Sequence, residues 1–439
     1  MTWTVRWLEG RSLRIAPWLL AASVLGHFVL VLTQAKMTMI DLMVYRDASP
    51  FLLHGTLYDW RLAQYSQTFA LPFTYPPFAA IVFLPLSWLS WAATRWLWQI
   101  ASVACLWWLV RASLSLIAKD RAASPEFSPV ADDVWRRRAM LATAAAIWIE
   151  PVRTTLNYGQ INLALAAIVL TGMVSARPLR AGLSVGLTAG IKLTPAVSVV
   201  YFLATRRWAA AVWSAIAFVG TVVVAYAVSP AQSIRYWFHL IQDPTRIGPP
   251  GSAINQSLRG ALSRTVGHDV GTGPLWLAAA AISAALLVFA LRAALRSRDT
   301  LAAIVSVQFF TLLVSPISWS HHWVWVVPAL LWLLYGRAAG GRLVIVTAGL
   351  WILATGSFLI SFLLKAQESI WLIPRPWYFS ALGWVYPAIG LLTLITIAVT
   401  ARPRAAEPAA PKRHPVSASM MPSISSASET SAAVTPPAE

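Results

Sequence analysis

The chain has 439 residues, 58% of them apolar and only 11% charged, with 24 tryptophans. That mixture excludes an ordinary soluble domain, which could not hide so many long apolar runs, and identifies an all-α polytopic membrane protein. The formal charge of +18 does not mark a nucleic-acid binder, because the basic residues fall in short clusters between apolar runs, as they do in cytoplasmic loops.

The N-terminal residues 1–14 are basic and are expected in the cytoplasm. The apolar stretch that follows, over about 15–34, is long and lacks a small-residue cleavage site, so it reads as a retained first helix rather than a signal peptide. Residues 36–74 then form an extracytoplasmic loop with Asp41, Asp47, His54 and Asp59. "PFTYPPFAAIVFLPL" is too broken by proline for a regular span and reads as an interfacial or re-entrant helix before the apolar run that ends near 117. That run contains Cys105, the single cysteine, which leaves no disulfide framework and no cysteine-based metal site. Residues 118–138 end in three arginines and are expected in the cytoplasm.

Further spans are expected near 139–156, 160–174, 208–228, 274–295, 301–320, 323–336, 342–364 and 379–400. Between Arg180 and Arg206, Gly190 and Pro195 flank Lys192 and divide one long run into two half-helices. The total is ten to twelve spans with both ends inside. A second outside loop covers 229–272. From Ala401 to Glu439 the composition of Ala, Pro and Ser predicts a disordered cytoplasmic tail. There is no convincing internal repeat, which argues against a transporter built from duplicated halves.

With this orientation the unusual polar residues collect on one side of the membrane, where ionisable groups are costly and usually functional. Asp41 either caps the helix begun by "DLMVY" or acts as a general base, a role that needs a carboxylate or imidazole within hydrogen-bond reach of a hydroxyl. Asp47, six residues on, would face away from it; Asp47 and Asp59 read mainly as structural, and Asp47 is kept among the substrate contacts. Adjacent His321 and His322 cannot point the same way in a helix, and His322 is the preferred site residue. No second ligand pair has metal-binding spacing. Lys192, Arg259 and Arg375 suit an anionic ligand, a guanidinium by bidentate bonding and an ammonium as a point charge; snorkelling to headgroups is the alternative for each. Gln160, Asn162, Asn255 and Tyr75 complete the substrate-contact candidates.

The segments "DLMVYRDAS", "GTLYDW", "PFTYPPFAAIVFLPL", "IEPVRTTLNYGQINLAL", "AGIKLTP", "INQSLRGALSR", "SPISWSHHWVW" and "RPWY" resemble the actinobacterial polyprenyl-phosphate-mannose-dependent α-(1→2)-mannosyltransferases of glycosyltransferase family 87. The resemblance covers residues 36–380. It implies the glycosyltransferase C fold over 15–400, a location in the plasma membrane with the active site outside, and no cofactor. It also implies two lipid partners: polyprenyl-phosphate mannose as donor and a mannosylated phosphatidylinositol as acceptor. By motif it assigns Asp41 as catalytic base, His321 or His322 as the site histidine, and Lys192 and Arg259 as donor-phosphate contacts. A paralogous enzyme branching lipomannan or lipoarabinomannan is an alternative within the family. A lipid-linked sugar flippase is the alternative from another class, and it would need polar groups along a path to the cytoplasmic face.

Overall fold

The computed structural model describes residues 3–33, 37–63, 70–124, 127 and 130–401. The tail expected at 401–439 therefore lies, beyond Ala401, outside the described residues. In chain order the helices are α1 (Trp3–Thr33), α2 (Ile40–Ala48), α3 (Pro77–Phe83), α4 (Trp91–Ala122), α5 (Asp132–Ala146), α6 (Glu150–Tyr158), α7 (Asn162–Met173), α8 (Pro178–Ile191), α9 (Val199–Ala204) and α10 (Trp208–Val228). They continue with α11 (Pro230–Phe238), α12 (Leu258–Val266), α13 (Pro274–Arg296), α14 (Thr300–Val314), α15 (Val326–Tyr335), α16 (Arg342–Gly356), α17 (Leu359–Ala366), α18 (Trp377–Leu382) and α19 (Val385–Thr400). Extended pairing among the described residues is confined to Arg61–Leu62 against Leu71–Pro72 and an isolated bridge between Asn255 and Trp319.

α4, α10, α13 and the Ser12–Thr33 stretch of α1 are long and apolar enough to cross a membrane. Their outer faces carry exposed Leu25, Leu32, Val212, Ile216, Val219, Leu277, Ile282 and Phe289, an arrangement costly in water and favourable in lipid. Two bent pairs, α6 with α7 at 118° and α16 with α17 at 42°, are each long and apolar enough for a broken span or a re-entrant loop. By length and composition the described residues thus hold four to six spans, fewer than the ten to twelve expected, because several apolar runs are divided into shorter helices. The proline-rich segment after Tyr75 is one such piece, a short helix with a 3₁₀ extension over Pro77–Trp88, and α4 alone follows it. The run around Lys192 is another: Lys192 has extended backbone at the end of α8, and Pro195 opens the 3₁₀ turn that leads into α9.

α14 is the centre of the packing. It touches α4, α13, α15 and α19, and Leu301–Phe309 are all buried, so its apolar residues cover every face, as expected for a helix enclosed by others. A second apolar cluster (Met39, Leu42, Tyr45, Leu52, Leu57, Phe73 and Phe83 among its members) lies under α2 and α3.

The break at Lys192 is held in place by α8 lying directly on α10. Gly182, Gly186 and Gly190 recur every fourth residue and form one stripe on α8. A Cβ at Gly182 would meet Trp213 Cβ at 2.3 Å, and one at Gly186 would meet the Ser214 carbonyl oxygen at 2.4 Å. Small residues at this spacing let two membrane helices approach backbone to backbone, where dispersion contacts are densest. Replacing Gly186 by Ala should lower stability by about 1–3 kcal/mol through overpacking. The same change at Gly220, where nothing lies within 4 Å of the added carbon, should be neutral. Melting curves of the two detergent-purified variants check this, and equal behaviour would refute it.

Candidate functional site

Asp41 sits in the first turn of α2, and the chain reaches that position through a strained residue. Met39 is in the left-handed region with φ 46°, an unfavourable conformation for a residue carrying a Cβ. It is held there from α6: the Met39 amide donates to the Asn157 carbonyl at 2.7 Å, and the Thr38 amide to Asn157 Oδ1 at 2.9 Å. Leu42 and Ala48 are buried in the packing of α2, and Asp41 faces a cavity together with Val44 and Tyr45.

α6 and α7 meet in a sharp turn at Gly159. Its φ of 71° favours glycine, and a Cβ there would come within 2.6 Å of Leu42 Cβ, so any other residue would push α2 away. The turn delivers Gln160 directly to Asp41: Gln160 Nε2 donates to Asp41 Oδ2 at 2.7 Å. The other end of the same amide accepts from the Tyr45 and Tyr75 hydroxyls, each at 3.0 Å, and those two hydroxyls are 2.7 Å apart. The amide orientation follows, since only its nitrogen can donate to a carboxylate.

Lys192 enters from the α8 break. Its ammonium donates to Asn162 Oδ1 at 2.7 Å and lies 5.4 Å from the centre of the Tyr75 ring. Asn162 Nδ2 in turn donates to the His321 carbonyl at 2.8 Å, which also accepts from Thr155 at 2.9 Å. The two histidines stand edge to face, 4.8 Å apart, and both line the cavity. The expectation that only one could do so assumed helical geometry; the segment Ser320–Trp325 is instead a 3₁₀ turn with a non-helical residue at Trp323. Both ring nitrogens of His321 are buried without a partner among the described residues, an arrangement that leaves them available to a bound hydroxyl or phosphate oxygen.

These residues surround a cavity of about 530 Å³. α2 lies outside the membrane-spanning helices, and there the Asp41 carboxyl is pushed up to about 6. Burial is the main cause; the Gln160 hydrogen bond and the Lys192 charge oppose it. The site therefore combines a carboxylate that titrates close to neutrality, a fixed cation and a polar wall of tyrosine and histidine.

Of the expected substrate contacts, Tyr75, Gln160, Lys192, His321 and His322 line this cavity with Asp41, and Asn162 supports Lys192 from behind. Four others are engaged elsewhere. Asp47 pairs with Arg46 at 2.5 Å. Arg259 grips Asp269 with two bonds of 2.9 and 2.6 Å, so its charge and fork are already satisfied. Arg375 donates to the Ser369 carbonyl and lies over Phe379. Asn255 is fully buried and bonds the backbone at Pro250, Pro316, Ser257 and Ser318, thereby holding its loop against the strand-like segment before the histidines. None of these four lines the cavity.

The lining residues that were not among the expected contacts include Tyr45, Tyr158 and Arg246. For Tyr45 a signal existed, since it follows Asp41 by four residues and so shares its helix face. Arg246 had none that distinguished it from the other arginines of its loop.

The model for glycosyltransferase family 87 matches residues 73–316. The chain is 43% identical over 395 residues, covering 89% of itself and 92% of the relative, to a polyprenol-phosphate-mannose-dependent alpha-(1-2)-phosphatidylinositol pentamannoside mannosyltransferase of Mycolicibacterium smegmatis. A protein of the same description from Mycobacterium tuberculosis is 43% identical over 83% of this chain and 82% of its own. A phosphatidylinositol mannoside mannosyltransferase of Mycobacterium tuberculosis is 34% identical over 72% and 74% respectively. No solved structure matches the chain. A family match spanning over half the chain, joined to relatives aligned along most of their length, leads to one conclusion: this membrane protein belongs to glycosyltransferase family 87.

Proposed function

We propose that this glycosyltransferase moves mannose from polyprenyl-phosphate mannose to a 2-hydroxyl on the terminal mannose of a phosphatidylinositol mannoside, with inversion at the anomeric carbon. The names of its relatives give that donor and acceptor class. We place the reaction on the extracytoplasmic face of the plasma membrane, in keeping with the arginine clusters at Arg177/Arg180, Arg206/Arg207 and Arg292/Arg296/Arg298, which the positive-inside rule assigns to the other side. The observation that carries the reading is the bond from Gln160 to Asp41 on the wall of a cavity that also presents Lys192.

In this mechanism Asp41 takes the proton of the attacking hydroxyl. The acceptor oxygen bonds to the anomeric carbon as the bond from that carbon to the phosphate oxygen breaks, and its electron pair leaves on polyprenyl phosphate. Lys192 faces the charge that accumulates on the leaving phosphate, and because Asn162 fixes the ammonium beforehand, little reorganisation is needed as the charge appears. His321 and the tyrosines contact sugar hydroxyls.

Asp41→Asn keeps the shape and removes the base; kcat for mannose transfer should fall by about 10²–10⁴ with donor KM little changed. Near-normal turnover by this variant in membranes would reject the assignment. Lys192→Gln should chiefly raise the donor KM, and an unchanged value would remove Lys192 from the donor site.

The pH dependence has a definite sign. The base works only when ionised, so activity should fall as pH drops through about 6, where Asp41 takes up its proton. Gln160 stabilises the charged form, so Gln160→Leu should move this acidic limb upward by about one pH unit. A kcat/KM profile whose acidic limb is the same in both proteins would refute the role of Gln160.

A further inference from the structure

The charged residues on the cavity wall are Asp41, Lys192, Asp243 and Arg246. Asp243 is exposed and is occupied with the Thr245 amide and hydroxyl, where it starts a 3₁₀ turn. Three charges therefore face the reacting groups: one carboxylate and two cations. Only one cation was explained above.

Arg246 is fixed by backbone alone. Its Nε donates to the Leu240 carbonyl at 3.0 Å, and its terminal nitrogens donate to the Phe73 and Thr74 carbonyls at 3.3 and 2.8 Å. The rings of Tyr58 and Tyr236 lie 5.9 and 5.5 Å from the guanidinium carbon. Three of the five N–H donors are used, one on each nitrogen, which leaves one N–H on each terminal nitrogen for phosphate oxygens. The carbonyls hold the plane of the guanidinium and bring no negative charge of their own, while the exposed Asp243 interacts with it only electrostatically. Phe73 and Thr74 directly precede Tyr75, whose ring lies beside the Lys192 ammonium, so the two cations are mounted on the same short segment of chain.

We propose that Arg246 is a phosphate-binding residue of this cavity, paired with Lys192 and reading the leaving phosphate as a dianion. The assignment rests on the donor proposed above. Charge balance supports it. Before transfer, ionised Asp41 and a phosphodiester donor carry two negative charges against two cations. During transfer the hydroxyl proton moves to Asp41, and the phosphate that departs gains a second negative charge. The cavity stays neutral throughout only if both cations are present. With Lys192 alone the product state would hold a surplus negative charge in a poorly solvated site, which is costly.

The test is direct binding of two probes, geranyl phosphate and its methyl phosphodiester, to full-length Asp41→Asn protein, whose side chain is uncharged as the base is after transfer, and to its Arg246 variants, in detergent by calorimetry above pH 7. With Asp41 uncharged, the parent protein should prefer the monoester, a dianion there, over the monoanionic diester. Arg246→Gln, which keeps hydrogen-bond donors but no charge, should weaken the monoester by about ten- to a hundredfold and the diester several-fold less, so the preference collapses. Arg246→Lys should retain the preference at reduced affinity. Unchanged monoester binding by Arg246→Gln overturns the proposal. So does parallel loss of both probes in Arg246→Gln and Arg246→Lys, which would make Arg246 a tie for the loop at Phe73 and nothing more. Should the glutamine variant fail to fold, the lysine variant decides alone: loss of its monoester preference overturns the proposal. Because binding is read without turnover, a wild-type protein that binds the probes but transfers no mannose would refute the proposed function separately.

Discussion

The site depends on one close approach, that of the turn at Gly159 to the first turn of α2. Where a side chain would otherwise stand, Leu42 packs against bare backbone, and this lets the next residue, Gln160, reach Asp41. Asn157, at the end of the same α6, captures the two amides that precede α2. The carboxylate is therefore held from both sides by a single short helix, at the expense of a left-handed Met39. Strain of that kind persists only where surrounding contacts over-determine the backbone, and here those contacts are the ones that aim the base.

Helix breaks perform the corresponding task for the other groups. Lys192 leaves the end of α8 in an extended conformation, the histidines lie in a 3₁₀ turn, and α6 bends into α7 by 118°. Regular helices in a membrane satisfy their own backbone and direct side chains outward in a fixed spiral; a break frees polar groups and redirects side chains toward a common space. The cost of each break is met by partners already described: the His321 carbonyl by Asn162 and Thr155, the loop before it by Asn255. Asn255 shows how a residue that reads as a ligand contact can serve backbone instead.

Electrostatics tie the geometry to the chemistry. A buried carboxylate without support would remain protonated and be useless as a base; one with a strong ion pair would be too weakly basic. Asp41 lies between these extremes, lifted by burial and restrained by the amide of Gln160 and the more distant charge of Lys192. Because Lys192 bonds Asn162 rather than Asp41, its charge acts across the cavity. Asp269 shows the opposite case: gripped by Arg259, its carboxyl is shifted down from the usual value, and it takes no part in the cavity.

Much of this was legible in the sequence. The apolar runs determined the membrane class, because burying so much apolar surface in water has no other outcome. The short motif around Asp41, the broken run at Lys192 and the histidine pair were visible as polar residues where lipid would penalise them, and most of those residues meet at the cavity. Tertiary structure decided the rest. Whether an arginine is free or already paired depends on which loop folds against it: Arg259 found Asp269 ten residues away, whereas Arg246 found carbonyls 172 and 173 residues away in sequence. Local pattern determines where a helix runs or breaks, since propensity and proline act over a few residues. Which side chains share a cavity is decided by contacts between distant segments, and no local pattern carries that information.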